Sequence, residues 1–141
     1  MNSVSIVNYT EHEPAIRQIR ETVFILEQAV SREDEFDGKD PQCLHALALV
    51  RGLPVATGRL DVVNNGKIGR VAVLEEFRRQ GFGTQIMRTL ESAAKENGLP
   101  QVWFHAQLVA VRFYEALGYV AQGDVFEEAG IAHVKMSRLL G

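Results

Sequence analysis

The segment RRQGFGT, Arg78 to Thr84, joins a stretch with the spacing of a strand to one with the spacing of a helix. Before it, KIGRVAVL (Lys67–Leu74) reads as an apolar strand. After it, Ile86, Met87, Leu90, Ala93 and Ala94 fall on one helical face, and Gly98 with Pro100 ends the pattern. A strand that passes into a helix through two glycines points to a mixed α/β chain. It also creates a helix start whose first N–H groups lack intrahelical partners and carry the positive end of the helix dipole. Gly81 and Gly83 have no Cβ, so a bulky anion can approach the backbone, and Arg78 and Arg79 add charge. These features suit a phosphate or diphosphate cradle, with an ordinary loop and solvated arginines as the alternative. Neither common nucleotide motif fits. No lysine follows the glycines, Ile86 stands where a dinucleotide fingerprint has its third glycine, and EEFRR separates the turn from the strand.

The rest of the chain extends this reading. VSIVNY (Val4–Tyr9) is a first strand. Thr10 and Glu13 have capping-box spacing, Pro14 suits a first turn, and Ile16, Ile19, Val23 and Leu26 predict a helix from Glu13 to Gln28. SREDEFDGKDP (Ser31–Pro41) breaks that pattern and reads as a loop. Cys43–Val50 and Val55–Val63 read as strands, and Asn64-Asn65-Gly66 turns the second of them back into Lys67–Leu74. Strands at Gln101–Ala106, Tyr119–Gly123 and Ala132–Leu139, with a short helix at Ala110–Gly118, complete the order β-α-β-β-β-α-β-α-β-β.

Composition narrows the function classes. The chain has 141 residues, 46% hydrophobic and 23% charged, as expected of one globular domain spanning 1–141. A net charge of −3 argues against general nucleic-acid or anionic-membrane partners. No apolar run approaches the roughly 20 residues of a membrane helix. The N-terminus lacks the basic-then-apolar pattern of a signal peptide. One cysteine, Cys43, precludes an internal disulfide and fits a cytoplasmic setting. No metal site is expected.

Two blocks together carry a family resemblance. The first is the pattern R/Q-x-x-G-x-G/A, met by Arg78, Gly81 and Gly83 after the strand GRVAVL. The second is QLVAVRFYEALGY, with Gln107, Ala110, Tyr114 and Gly118–Tyr119 at the spacing of N-x-x-A-x-x-x-Y and a G-[FY] turn. In this order the chain resembles the GNAT superfamily of acyl-CoA-dependent N-acyltransferases over most of its length. The resemblance implies one mixed, mostly antiparallel sheet that splays between its fourth and fifth strands. It implies acetyl-CoA as co-substrate. The diphosphate would lie on the backbone of Arg79, Gln80, Gly81, Phe82, Gly83 and Thr84, beside Arg78, and the pantetheine arm would lie along Val71, Ala72 and Val73. Gln107 stands where the family usually has asparagine, and its longer amide can reach the same arm. Tyr114 matches the usual general acid, and a backbone N–H of Val71–Val73 would polarise the thioester carbonyl.

The general base is left open. The family often places a glutamate on the strand before the glycine turn, where this chain has Gly69 and Arg70. The candidates are Glu33, Asp34, Glu35, Asp37, His45, His105 and His133, or a water relay. Cys43 as an acyl carrier is a further option, weighed against a buried structural role. The acidic run Glu33, Asp34, Glu35, Asp37 and Asp40 reads either as a solvated loop or as a wall that attracts a cationic amine, with Glu33 and Asp34 as substrate-binding residues. Some of these acids can instead pair with Arg59 or Arg70. The expected activity is acetyl transfer to a small cationic amine. The rival readings are a non-catalytic acyl-CoA-binding or sensing protein and a nucleotide-binding regulator. Many relatives form homodimers, and no feature of the sequence demands one.

Overall fold

Asn65 and Gly66 close the hairpin as their residue types allow, with φ of 55° and 85°, and the Gly66 N–H donates to the Asp61 carbonyl. Around that turn a computed structural model, which describes residues 1–141, forms a single seven-stranded sheet. The strands are β1 (Asn2–Val7), β2 (Leu44–Val50), β3 (Leu53–Asp61), β4 (Lys67–Val73), β5 (Gln101–Gln107), β6 (Val120–Glu128) and β7 (Ile131–Leu139). Their order is β1-β2-β3-β4-β5-β7-β6. Every neighbouring pair is antiparallel except β4 and β5.

The helices are α1 (Tyr9–Arg20), a single turn α2 (Arg32–Glu35), α3 (Phe82–Glu96) and α4 (Val111–Ala116). Successive strand residues face opposite sides of the sheet, which sorts the core. Leu47 and Ala72 pack with Ile16, Ile19 and Val23 from the α1 side. Ala46, Ala48, Leu60, Ile68, Val102 and Phe104 pack with Ile86, Met87 and Leu90 of α3 on the other. The apolar face expected of α3 is therefore the one it buries.

Two local expectations change. The first helix starts at Tyr9, and its cap is Asn8, whose Oδ1 accepts from the Glu11 N–H at 3.1 Å. The Thr10–Glu13 pair does not cap it, and Pro14 lies inside the helix. Tyr9 stacks on His45 with ring centroids 4.5 Å apart, which ties the first turn to β2 and favours the earlier start. The helix then widens into a π-helical stretch, Glu21–Glu27. The expected loop Ser31–Pro41 contains α2, capped by Ser31 on the Asp34 N–H, and enters a 3-10 turn at Asp40–Gln42.

The sheet opens where the resemblance implies. β4 and β5 share one registered pair, Lys67 with Trp103. The Trp103 N–H donates to Gly66 O at 3.1 Å and its indole N–H to Asn64 O at 3.2 Å, which pins that end shut. Thr57 pairs with Ala72 but Arg59 with Gly69, so β4 carries one extra residue. Arg70 takes the left-handed region with φ of 56° inside this bulge. Such a bulge bends its strand and raises the local twist. The two strands diverge beyond it.

Candidate active site

The divergence of β4 and β5 makes a cavity of about 160 Å³ whose walls include Val71, Phe104, His105, Gln107 and Tyr114. A wider cleft on the α2 side shares Arg70 and His105 with it and adds Asp34, Lys67 and Glu128. Phe24 and Gln28, from and just after the π-helical stretch, line both. Gln107 Nε2 donates to Gln28 Oε1 at 2.8 Å, so the side chain at the family's asparagine position bridges the gap toward α1.

At the start of α3, Gly81 is the N-cap residue with φ of 87° and no side chain caps the helix. No backbone N–H from Arg79 through Thr84 has an acceptor within the protein. Arg79 also has positive φ, 63°, so two residues of the turn, Arg79 and Gly81, are left-handed. Successive main-chain donors in a left-handed turn, placed at a helix start, form a concave anion site. Gly83 lies over Phe113, and a methyl there would sit 3.3 Å from the ring. Phe82 is buried and anchors the turn to the core. Gln80 donates to Glu76 O at 3.2 Å. Arg78 does not face an open anion site. Its guanidinium makes a two-pronged pair with Glu27 at 2.9 Å and donates to Val73 O, tying the turn to the π-helical stretch and the end of β4.

Tyr114 projects from α4 into the cavity against Phe104, with ring centroids 4.4 Å apart. Its hydroxyl makes no hydrogen bond within the protein, and burial of the side chain pushes its pKa up to about 12. A phenol in this setting remains protonated across the neutral range and can donate.

The acidic loop divides in two. Glu35, Asp37 and Asp40 fold into an arginine network. Arg20 holds Glu35 at 2.6 Å and Asp40 at 2.7 Å, while Arg59 holds Asp37 at 2.6 Å and Asp40 at 2.8 Å. Arg70 reaches Glu35 and Asp37, both at 3.3 Å. Burial raises the Asp37 and Asp40 carboxyls. Hydrogen bonds and charge from Arg59 on Asp37, and from Arg20 and Arg59 on Asp40, outweigh it and hold both below the ordinary range. These acids are structural counter-ions rather than an open negative wall. Glu33 and Asp34 stay exposed, and Asp34 alone of the two lines the cleft.

The histidines also separate. His45 is buried and its Nε2 lies 2.9 Å from Asp40 O, away from the cleft. His105 and His133 line it, both beside Glu128, a residue the sequence reading did not single out. Sequence showed β6 only as far as Gly123, and its continuation to Glu128 brings this carboxylate to the cleft. No three His, Cys, Asp or Glu side chains are arranged to hold a metal ion. Cys43 is buried outside the cleft, and burial pushes its thiol up to about 11, which leaves little thiolate for acyl transfer.

Known proteins are similar to this chain in sequence and fold. The family profile of the acetyltransferase (GNAT) domain matches residues 13–140. YyaT of Bacillus subtilis (strain 168) is 39% identical over 98% of this chain and 95% of its own. The N-acetyltransferase YjcF of the same organism is 37% identical over 85% of this chain and 87% of its own. An acyl-CoA N-acyltransferase from Pseudomonas aeruginosa superposes with a TM-score of 0.86 at 30% identity, covering 98% of this chain and 99% of its own. With a glycine turn of free donors, a splayed β4–β5 pair and a tyrosine at the splay, the chain belongs to the GNAT family of acetyltransferases.

Proposed function

We propose that the protein transfers an acetyl group from acetyl-CoA to the primary amine of a small cationic acceptor by direct attack on the thioester. The observation that carries this is the row of unpartnered N–H groups from Arg79 to Thr84, in a turn whose Gly83 lies against Phe113, the neighbour of Tyr114. These donors would hold the diphosphate, with Gln80, Phe82 and Thr84 contributing backbone and Arg78 fixing the turn from outside. Val71, Ala72 and Val73 would run beside the pantetheine arm, whose amides can pair with a strand edge that β5 leaves free. Gln107 would close over the arm from β5. A GNAT-fold structure with 12% identity and a TM-score of 0.80, an aminoglycoside 6'-N-acetyltransferase, is a complex with coenzyme A, and this supports the reading of the cofactor.

The chemistry follows from the walls of the cavity. A main-chain N–H of β4 at the splay would donate to the carbonyl oxygen as negative charge grows there. Tyr114 would give its proton to the departing sulfur. Burial raises the phenol, but a thiolate formed in the same apolar space is desolvated too and becomes more basic, so the match between donor and acceptor is kept. Asp34 lines the cleft with exposed Glu33 next to it in the chain, and two acids there favour a cationic amine.

Two measurements test the proposal. Calorimetry with coenzyme A and with ATP should show binding of the first alone. Thiol release from acetyl-CoA across a panel of primary amines should show turnover with cationic members. Binding without turnover by any amine would leave an acyl-CoA-binding protein, and ATP binding in place of coenzyme A would remove the acyltransferase reading altogether.

A further inference from the structure

The acceptor side of the cleft holds a pair of side chains to which the steps above give no role. Phe104 and Ala106 of β5 are buried toward α3, so Trp103, His105 and Gln107 face the opposite side. The His105 ring is held edge-on between Trp103 at 5.6 Å and Phe126 at 4.8 Å. Its Nδ1 lies 2.9 Å from Glu128 Oε1. Burial raises the Glu128 carboxyl, but the hydrogen bond from His105, with the positive charge of Lys67 nearby, outweighs it and holds the carboxyl below its ordinary range. An ionised carboxylate only accepts, so Nδ1 carries a hydrogen, and in the neutral ring Nε2 carries the lone pair. No hydrogen bond in the protein occupies that Nε2.

His133 is placed differently. Its Nδ1 donates to the Ile131 carbonyl at 2.6 Å, and its Nε2 stands 3.8 Å from Glu128 Oε2, beyond hydrogen-bonding range. The other charged groups that face this region are Lys67 and Arg70 from β4, Lys135 from β7, and Asp34, Glu35, Asp37 and Lys39 from the α2 segment. Arg70, Glu35 and Asp37 are already paired with one another. His105 thus presents an unoccupied Nε2 in a cavity it shares with Tyr114 and Val71.

We infer that His105 is the general base of the reaction, taking a proton from the acceptor's ammonium through Nε2, with Glu128 as the residue that positions and orients it. The inference rests on the acetyl-transfer reading. The ammonium nitrogen gives one proton to His105, which frees its lone pair to form the C–N bond to the acyl carbon. The C–S bond breaks and its electron pair takes the Tyr114 proton. The second nitrogen proton leaves as the amide forms and, by way of solvent, restores the phenol. His105 releases its proton to solvent, so one turnover yields amide, thiol and one net proton.

The test separates deprotonation from other roles by varying the basicity of the amine on one two-carbon skeleton and comparing each variant with the unaltered chain for the same amine. Ethylamine reaches the cleft as a cation and trifluoroethylamine as a neutral amine. Thiol release is measured for both with the full chain, with His105→Gln and with Glu128→Gln, alongside coenzyme A binding by calorimetry. His105→Gln is expected to lower kcat/KM for ethylamine about 100-fold, the low end for a general base, and to change trifluoroethylamine less than about threefold. Glu128→Gln should give a smaller loss with the same selectivity. Equal losses for the two amines in a variant that still binds coenzyme A would overturn the assignment. So would unchanged ethylamine turnover. Should His105→Gln also lose coenzyme A binding, Glu128→Gln decides, because its side chain is 45% exposed and carries no core packing. If the unaltered chain turns over neither amine nor any member of the wider panel, the acetyl-transfer reading falls and His105 with it.

Discussion

Gly58 lies in β3 directly under α3, opposite the β4 bulge, and its replacement by alanine measures how closely these elements meet. A methyl there would sit 2.8 Å from Ile86 Cγ2, 3.1 Å from Leu90 Cδ1 and 3.2 Å from Val71 Cγ2. Two effects oppose each other. Losing a glycine reduces the freedom of the unfolded chain and stabilises by about 0.7 kcal/mol. Overpacking costs about 1–3 kcal/mol. The Ile86 methyl sits on a β-branched side chain in a helix, where one rotamer dominates, so it cannot swing aside and the cost falls near the upper end. About 3 less about 0.7 leaves a net loss of about 2 kcal/mol. At about 4 °C per kcal/mol for a chain of this size, Gly58→Ala should melt about 8 °C below the unaltered protein. Gly69→Ala is the control, because its nearest atom is Arg59 Nε at 4.0 Å and no clash arises. It should melt about 3 °C higher, from the same entropic term alone. Thermal unfolding by circular dichroism under one buffer condition reads both. A Gly58→Ala protein that melts at or above the original, or two variants that move in the same direction, would refute the packing argument.

Three other predictions follow from the site and its supports. Tyr114→Phe should lower kcat by about 100-fold with coenzyme A affinity unchanged, as read by stopped thiol release and calorimetry, because the hydroxyl has no other partner to lose. Glu33→Gln with Asp34→Asn should raise KM for cationic amines at low salt and leave it unchanged at high salt, and equal KM values across ionic strength would disprove steering. The depressed Asp37 and Asp40 carboxyls give stability that is complete above the unfolded pKa near 3.9 and is lost as pH falls through their lower folded values. The melting temperature should therefore decline below about pH 4, and Arg59→Met should lose about 3–5 kcal/mol at neutral pH and show a flatter acid-range decline.

What could be read from sequence was local. Asn65-Gly66 fixed a turn because few residues accept its φ, and Gly81 marked the start of α3 for the same reason. The apolar face of α3 was legible because Ile86, Met87 and Leu90 repeat within three turns of one helix. Other features depend on partners distant along the chain. Glu128 meets His105 only because β6 and β5 both pair with β7, and nothing within β6 marks the residue. Arg78 offered charge beside the glycines, yet Glu27 from the preceding helical layer takes that charge. Asn8 displaced the Thr10–Glu13 cap because Tyr9 had a ring to stack on in β2.

The acidic loop shows most clearly how such distant pairing changes a residue's role. A left-handed arginine inside a strand costs roughly 1–2 kcal/mol, and Arg70 has no local reason to adopt it. Its guanidinium supplies one from across the sheet. It donates to Asp34 O at 2.9 Å and to Glu35 O from two nitrogens, and it reaches the carboxylates of Glu35 and Asp37. Those acids are fixed in turn by Arg20 and Arg59. Several charge-assisted contacts in a half-buried setting exceed the backbone cost, so the loop holds the bulge in place. The bulge turns β4 away from β5 and opens the cavity in which Tyr114 and His105 face each other's side of the sheet. The charges that look from sequence like an acceptor wall thus act one step earlier, on the strand geometry that opens the cavity between β4 and β5.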